Sequence, residues 1–223
     1  TRLAYGQELS KYWVHNGFVN INGEKMSKSL GNSFFLKDAL KEYSGEVIRF
    51  YILTTYYRAD FGFNTEDLEA SKKRLDKLYR LKKRVYDVVK NDTLKPLSYK
   101  ENILEALTDD MNTSKAFAAI DEFVNFANDK LDSNPKDKNL KSQIAQLFDF
   151  ISDILGLGYQ DAYNYFQFGI SEDEKKKIEE KILLRTEAKK EKNFALSDTI
   201  RDELSSMKIS IMDTPNGTLW EKI

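Results

Sequence analysis

Apolar residues recur along this chain with two different periods, and the changes of period fall where turn-forming residues sit. Residues 17–26 alternate loosely around Phe18, Val19 and Ile21 before reaching Asn22-Gly23, the dipeptide best suited to a two-residue hairpin, so a short β-ribbon carrying Lys25 is expected. Beyond Gly31-Asn32, residues 36–43 and 44–56 read as helices, the second with Val47, Ile48, Tyr51 and Ile52 spaced for one buried face. A long helix is expected from Asn64, a cap for the free amides with Asp67 behind it, through Leu68, Leu75, Leu78, Val85 and Val89. Pro96 ends that segment. Ser98 with Glu101 has the form of a capping box ahead of Ile103, Leu104 and Leu107, and Thr113 opens a helix with Phe117, Ile120, Phe123, Val124, Ala127 and Leu131 that Pro135 breaks. Leu140, Ile144, Leu147, Phe148, Ile151 and Leu155 form the next stripe, stopped by Gly156 and Gly158, and the four helices together make an antiparallel bundle.

The remainder is smaller and mixed. Ser171 and Glu174 form another capping box, for a helix with Ile178 and Ile182, and Asn193 caps a second with Leu196, Ile200, Leu204 and Met207. Residues 209–212, a Pro215-Asn216-Gly217 turn and residues 218–220 then read as a two-stranded ribbon. The expected fold is therefore mainly α, in three parts: 1–60 with the first ribbon, 61–158 as the bundle and 171–223 as the small terminal unit. The ring-rich stretch 159–168 joins the last two, and its composition predicts packing rather than slack.

Composition narrows the setting more than the function. Lys and Arg number 35 against 36 Asp and Glu, so overall charge announces no nucleic-acid partner and any basic surface must be local. The absence of cysteine excludes a disulfide framework and fits a reducing, cytoplasmic environment, and no apolar run is long enough to span a membrane. An opening at Thr1 that leads straight into Leu3, Tyr5, Leu9, Tyr12 and Trp13 reads as the middle of a longer polypeptide.

Chemistry concentrates at Gly23-Glu24-Lys25-Met26-Ser27-Lys28-Ser29-Leu30-Gly31-Asn32, where two cations and two hydroxyls are flanked by glycines. No G-x-x-x-x-G frame precedes the Lys-Ser pair, so this is not a Walker loop. Lys25 and Lys28 can converge on one polyanion while Ser27, Ser29 and backbone amides donate to its oxygens. A bare Lys-x-x-Lys is usually a solvated turn; here Trp13 to Gly17 before the motif, the β-turn and the helix with Val47-Ile48-Arg49-Phe50-Tyr51 weigh for the phosphate reading.

The letters Lys-Met-Ser-Lys-Ser at 25–29 resemble the second signature motif of class I aminoacyl-tRNA synthetases. Their flanks resemble the cysteine-specific enzymes: Tyr12-Trp13-Val14-His15-Asn16-Gly17-Phe18-Val19, Tyr56-Tyr57-Arg58, Asn64, and Asp109-Asp110-Met111-Asn112-Thr113. The tail matches as well, with Phe194 to Asp198, Ile200 to Leu204 and Asp213 to Trp220. The resemblance, to the carboxy-terminal half of cysteinyl-tRNA synthetases, covers essentially the whole chain. It implies a stem-contact fold for residues 1–60, a tRNA-binding bundle of DALR type for 61–158 and an anticodon-binding unit for 171–223.

It further implies ATP, with Mg, as a substrate closed over by the 25–29 loop (Lys25, Met26, Ser27, Lys28 and Ser29), with Lys28 the leading catalytic cation and Lys25 its support. The partners it implies are tRNA(Cys), ATP and cysteine, with a monomeric state and no membrane. The family's nucleotide-binding core and its zinc ligands, which in the intact enzyme select cysteine through its thiolate, would lie upstream of Thr1, so this chain is expected to hold no metal and to be inactive alone. His15, the sole histidine, has no cysteine partners and reads as a packed or surface residue.

Two surfaces are candidates for RNA. Lys72, Lys73, Arg74, Lys77, Arg80, Lys82, Lys83 and Arg84 oppose only Asp76 and form a basic ridge able to follow phosphates, with Arg74, Lys77 and Arg84 the leading candidates; a salt-bridged, solvated face is the equal alternative. In the tail, Arg201, Asp213 and Trp220 are candidate contacts to bases or phosphates, Trp220 serving otherwise as a cap on the helical hairpin. The rival readings are the cysteine ligase of mycothiol synthesis, which has no need of the tail or the ridge, and a noncatalytic tRNA-binding module with a vestigial loop.

Overall fold

The computed structural model describes Gly6 and residues 10–21, 24–25, 36–215 and 217–223. Its order is β1 (Val19–Ile21), β2 (Glu24–Lys25), α1 (Leu36–Glu42), α2 (Gly45–Leu53), β3 (Phe61–Phe63), α3 (Thr65–Arg84), α4 (Tyr99–Thr108), α5 (Thr113–Ser133) and α6 (Lys138–Leu155). A 3₁₀ turn (Asn164–Gln167), α7 (Glu172–Lys190), α8 (Phe194–Ser206), β4 (Ile209–Thr214) and β5 (Gly217–Lys222) complete it. The fold is mainly helical with two small sheets.

Local sequence signals account for most helix ends. Asn64 accepts from the Asp67 amide, Asn193 from that of Leu196, and Ser171 with Glu174 forms a complete capping box, each satisfying amides that a helix leaves open. Gly156 closes α6 in the left-handed conformation, φ 65°, which costs glycine little. Ser98 fails as a cap: its backbone is already helical, φ −57° and ψ −19°, and its hydroxyl takes no amide of α4. Several stripe positions also depart from expectation, and Leu104, Leu196 and Met207 are exposed. Ile52 is exposed on α2 while Phe50 takes the buried place, and α3 ends at Arg84, leaving Val89 beyond it in solvent.

The first sheet has a strand that the alternation pattern does not disclose. β1 pairs antiparallel with β2 (Asn20 opposite Lys25) and parallel with β3 (Val19 opposite Phe61, Ile21 opposite Phe63). The seam is closed by Gly17 N–H to Tyr57 O at 2.8 Å and Phe61 N–H to Phe18 O at 2.8 Å. A side chain at Gly17 would put its Cβ 2.2 Å from Ala59 O, so only glycine fits. Tyr51 fastens β3 to α2, its hydroxyl donating to Gly62 O (3.0 Å) and accepting from the Asn64 amide (3.0 Å).

One core serves both α2 and the bundle. Phe50 and Tyr51 of α2, Leu75 and Tyr79 of α3, Ile103 of α4, Phe123 of α5 and Ile144 and Ile151 of α6 belong to the same buried cluster, which extends to Leu157, Ala162 and Tyr165. The ring-rich stretch is thus packed at its centre, where Tyr165 stacks on Tyr79 with centroids 3.7 Å apart, while Tyr159 and Phe168 at its ends are exposed. A second, small core gathers Ile178, Ile182, Ile200, Leu204, Ile209 and Trp220. This terminal unit leans on the bundle through Lys83 of α3, whose ammonium lies 2.5 Å from Glu221 and over the Tyr163 ring, and through Gln167 Nε2 donating to Trp220 O at 2.9 Å.

Candidate functional site

Met26, Ser27, Lys28 and Ser29 lie outside the described residues, as does the side chain of Lys25, whose backbone ends β2 opposite Asn20. The structure supplies the frame on either side. Before the motif stands the sheet seam at Gly17; after it come α1 and α2, the latter capped by Ser44, whose hydroxyl accepts from Val47 N–H. The frame carries an exposed apolar face: Tyr12, Trp13, Val14, Phe18, Leu36, Leu40 and Ile52 all show their side chains to solvent. A cavity of about 510 Å³ lined by Val14, Val19, Ile52, Phe61 and Met111 opens on it. At one rim Asp110, in left-handed backbone with φ 52°, accepts from Tyr56 (2.5 Å), Tyr57 (2.7 Å) and Arg58 Nε (2.7 Å). These donors, Arg58 first, hold the Asp110 carboxyl well below the usual range.

The basic ridge divides on inspection. Arg74 reaches Asp121 on α5 at 2.7 Å beside the Phe50 and Phe117 rings, and Arg84 reaches Asp132 at 2.6 Å and Asn128 Oδ1 at 2.7 Å. Lys82 turns inward to the Gly158 and Gln160 carbonyls, both at 2.6 Å, and burial pushes its pKa down. Lys72 pairs with Asp76 and Lys83 with Glu221. Among the described residues Lys73 and Lys77 are exposed without an ion pair, and Arg80 lies over the Phe166 ring, so the open cationic strip is Lys73, Lys77 and Arg80, one face of α3 at helical spacing. Of the ridge cations singled out in the sequence, Lys77 is on this strip, whereas Arg74 and Arg84 are engaged by α5.

In the terminal unit, Asp213 is a hub. It accepts from Arg185 at 2.8 and 3.1 Å, from Lys189 Nζ at 2.6 Å and from the Thr218 hydroxyl at 2.8 Å. Arg185, then Lys189, holds its carboxyl well below the ordinary range. Arg185 is 5% exposed and its Nε has no partner among the described residues. Trp220 is buried in the small core, the capping role, while Arg201 is exposed on α8. Arg185 and Lys189 are the residues that the sequence reading passed over; their signal was an Arg-x-x-x-Lys pair on one helix face, masked by the many other charges of both signs on α7.

Residues 1–73 match the family model described as the tRNA synthetases class I (C) catalytic domain, and residues 102–160 match the DALR domain. Over 223 residues, all of this chain and 47% of the relative, the sequence is 66% identical to the cysteine–tRNA ligase of Aliarcobacter butzleri (strain RM4018). Over its full length the chain is similar to the carboxy-terminal half of cysteine–tRNA ligases. Other such relatives are 64% identical, in a Nitratiruptor species, covering 48% of that protein, and 54% identical, in Helicobacter pylori (strain G27), covering 47%. The chain spans about half the length of the curated cysteine–tRNA ligases it matches and corresponds to their carboxy-terminal half. The fold is also similar to the crystal structure of the ternary complex of Agrobacterium radiobacter K84 agnB2 LeuRS-tRNA-LeuAMS. The TM-score is 0.51 over 63% of this chain and 20% of that one, at 20% identity, a likeness of fold alone.

The residues present do not fit a zinc site. Cysteine is absent from the chain, and among the described residues no group of three or more His, Cys, Asp or Glu side chains is placed to hold a metal. No helix of the described residues is long and apolar enough to cross a membrane.

Proposed function

We propose that this chain, as part of a longer polypeptide, supplies the ATP-handling loop and the RNA-docking surfaces of an enzyme that activates cysteine with ATP and transfers it to tRNA(Cys). The identity of 66% over the full chain to a cysteine–tRNA ligase carries the reading, because it spans the motif at 25–29 together with the bundle and the tail. Lys28 neutralises charge as the cysteine carboxylate attacks the α-phosphorus of Mg-bound ATP and pyrophosphate leaves, and Lys25 assists on the β/γ side; Ser27, Ser29 and loop amides donate to the phosphate oxygens. Zinc selection of cysteine belongs to the half of the polypeptide outside this chain. The Lys73, Lys77 and Arg80 strip follows the tRNA backbone, while Arg201 and the Asp213 hub of the terminal unit face the anticodon.

The test is cysteinylation of tRNA(Cys) by the longer polypeptide and its Lys28→Ala variant. Removal of one aimed cation from a closed site is expected to slow cysteine-dependent ATP–pyrophosphate exchange on the order of a hundredfold. A variant within about threefold of the unsubstituted enzyme refutes the role of Lys28.

A further inference from the structure

Glu46 is the one acidic side chain among the fully buried residues of the described chain, 1% exposed at the start of α2. Three groups donate to it. Its Oε1 accepts from the Tyr79 hydroxyl (2.9 Å) and the Gly158 amide (2.5 Å), and its Oε2 from the same hydroxyl (2.7 Å) and Gln160 Nε2 (2.8 Å). One turn on, Arg49 Nε donates to Leu155 O at 2.5 Å. From the opposite side Lys82 of α3 holds the Gly158 and Gln160 carbonyls. The segment 155–160 is therefore gripped between α2 and α3 through Leu155 O, the amide and carbonyl of Gly158, and the amide, carbonyl and side chain of Gln160.

That segment has two ends with different business. Through Glu46 and Arg49 it fixes α2, which leads back by a short turn into α1 and the 25–29 loop. Forward, the chain runs within a few residues to Tyr163 and Gln167, which touch Met212 and Trp220 of the terminal unit. An apolar contact would hold two helices together at least as well as a buried carboxylate, whose desolvation is costly. Directional acceptors add a single allowed orientation, set here by three donors from two elements.

Resting on the function proposed above, we infer that Glu46, seconded by Arg49, is a positioning residue: it sets the angle of the ATP-loop unit against the RNA-binding parts, and is needed for transfer to tRNA rather than for making the adenylate. Activation brings small substrates together at the loop and the nucleotide-binding half and makes no demand on the bundle or terminal unit; transfer requires the tRNA end to arrive at the adenylate while its body rests on both.

The experiment uses the full-length enzyme with three variants. In Glu46→Leu the size is kept and all acceptors are lost. In Glu46→Gln one oxygen still takes the Gly158 and Tyr79 bonds, and a turned Gln160 amide accepts from the new NH₂. Arg49→Met breaks a single bond at an exposed side chain. Cysteine-dependent ATP–pyrophosphate exchange and kcat/KM for tRNA(Cys) are measured alongside thermal midpoints. Misplacement by about an ångström costs up to about a hundredfold in a reaction that depends on approach. Glu46→Leu is accordingly expected to lower kcat/KM for tRNA by about tenfold or more with exchange within about threefold, Arg49→Met to do so by a few fold, and Glu46→Gln to restore transfer. Parallel loss of exchange and transfer tracking the thermal midpoint overturns the proposal in favour of a purely structural role, as does transfer unaltered in Arg49→Met and Glu46→Leu. An unsubstituted enzyme lacking both reactions would instead sink the functional reading itself.

Discussion

Removing the carboxylate of Asp213 isolates a charge that has nowhere else to turn. Arg185 presents only 6% of its side chain to solvent, its two terminal nitrogens both donate to Asp213, and its Nε already has no partner among the described residues. Lys189, the nearest other charged group on the hub, has the same sign and offers no relief. Stripping one member from a buried pair costs about 3–5 kcal/mol because the survivor stays buried and uncompensated. Asp213 itself is 46% exposed, so water reaches part of the site and screens the loss; we expect about 2–3 kcal/mol for Asp213→Ala. Asp213→Asn keeps an acceptor and is expected to cost about half as much. Arg185→Leu with Asp213→Leu removes both charges and is expected to recover most of the loss.

Urea unfolding followed by Trp220 emission, in a Trp13→Phe background so that the signal reports the small core alone, measures each value. A cost under about 0.5 kcal/mol for Asp213→Ala, the range of an ordinary surface substitution, refutes the reasoning.

Acidity gives an independent reading of the same hub. The folded pKa of Asp213 is depressed. Its contribution is therefore complete above the unfolded carboxylate value, about 3.9, and is lost as pH falls from there through the folded value. Trp220 emission is expected to show the Asp213→Asn variant with a flatter stability profile below about pH 4 and a parallel one from about pH 5 to 7; a difference that grows above about pH 5 contradicts this. Lys73→Ala with Lys77→Ala is expected to flatten the salt dependence of tRNA binding by about one logarithmic unit of slope per lysine, with stability unchanged. Arg74→Met should leave that slope alone and lower the unfolding midpoint, since its charge is spent on Asp121; equal slopes in all variants would remove α3 from the RNA surface. Gly17→Ala forces a Cβ against Ala59 O and is expected to cost about 1–3 kcal/mol and to speed exchange of the Phe61 amide, whose acceptor is Phe18 O. An unchanged exchange rate refutes the tight seam.

What sequence discloses here is what neighbours along the chain decide. Asn64, Ser171 and Asn193 cap helices because the amide they accept lies three residues on, and Gly156 ends α6 because a left-handed residue is needed at that point. Ser98 has the same letters and fails, because a turn before α4 sets its backbone to helical angles. The pairing of β3 with β1 is invisible to alternation: each strand has three residues, and the parallel partner lies beyond two helices. The ridge on α3 is legible as composition but not as surface. Asp121 and Asp132, which engage Arg74 and Arg84, reside on α5, and no window along α3 contains them. Likewise Asp213 can be picked out in the tail, while its buried partner Arg185 stands in a helix with charges of both signs all round.

The stack of Tyr165 on Tyr79 bears on how such a protein can be rearranged. The stretch between bundle and terminal unit belongs structurally to neither; Tyr165 and Phe166 pack into the larger core, and its far end holds the ribbon. A graft that exchanges the tail of one relative for that of another at residue 170 would leave foreign strands meeting native rings, whereas a graft at residue 155 would meet foreign carbonyls at Arg49 and Lys82. The smallest exchangeable cassette is the tail together with the splice and the faces of α2 and α3 that grip it, so the terminal unit cannot be exchanged cleanly by itself.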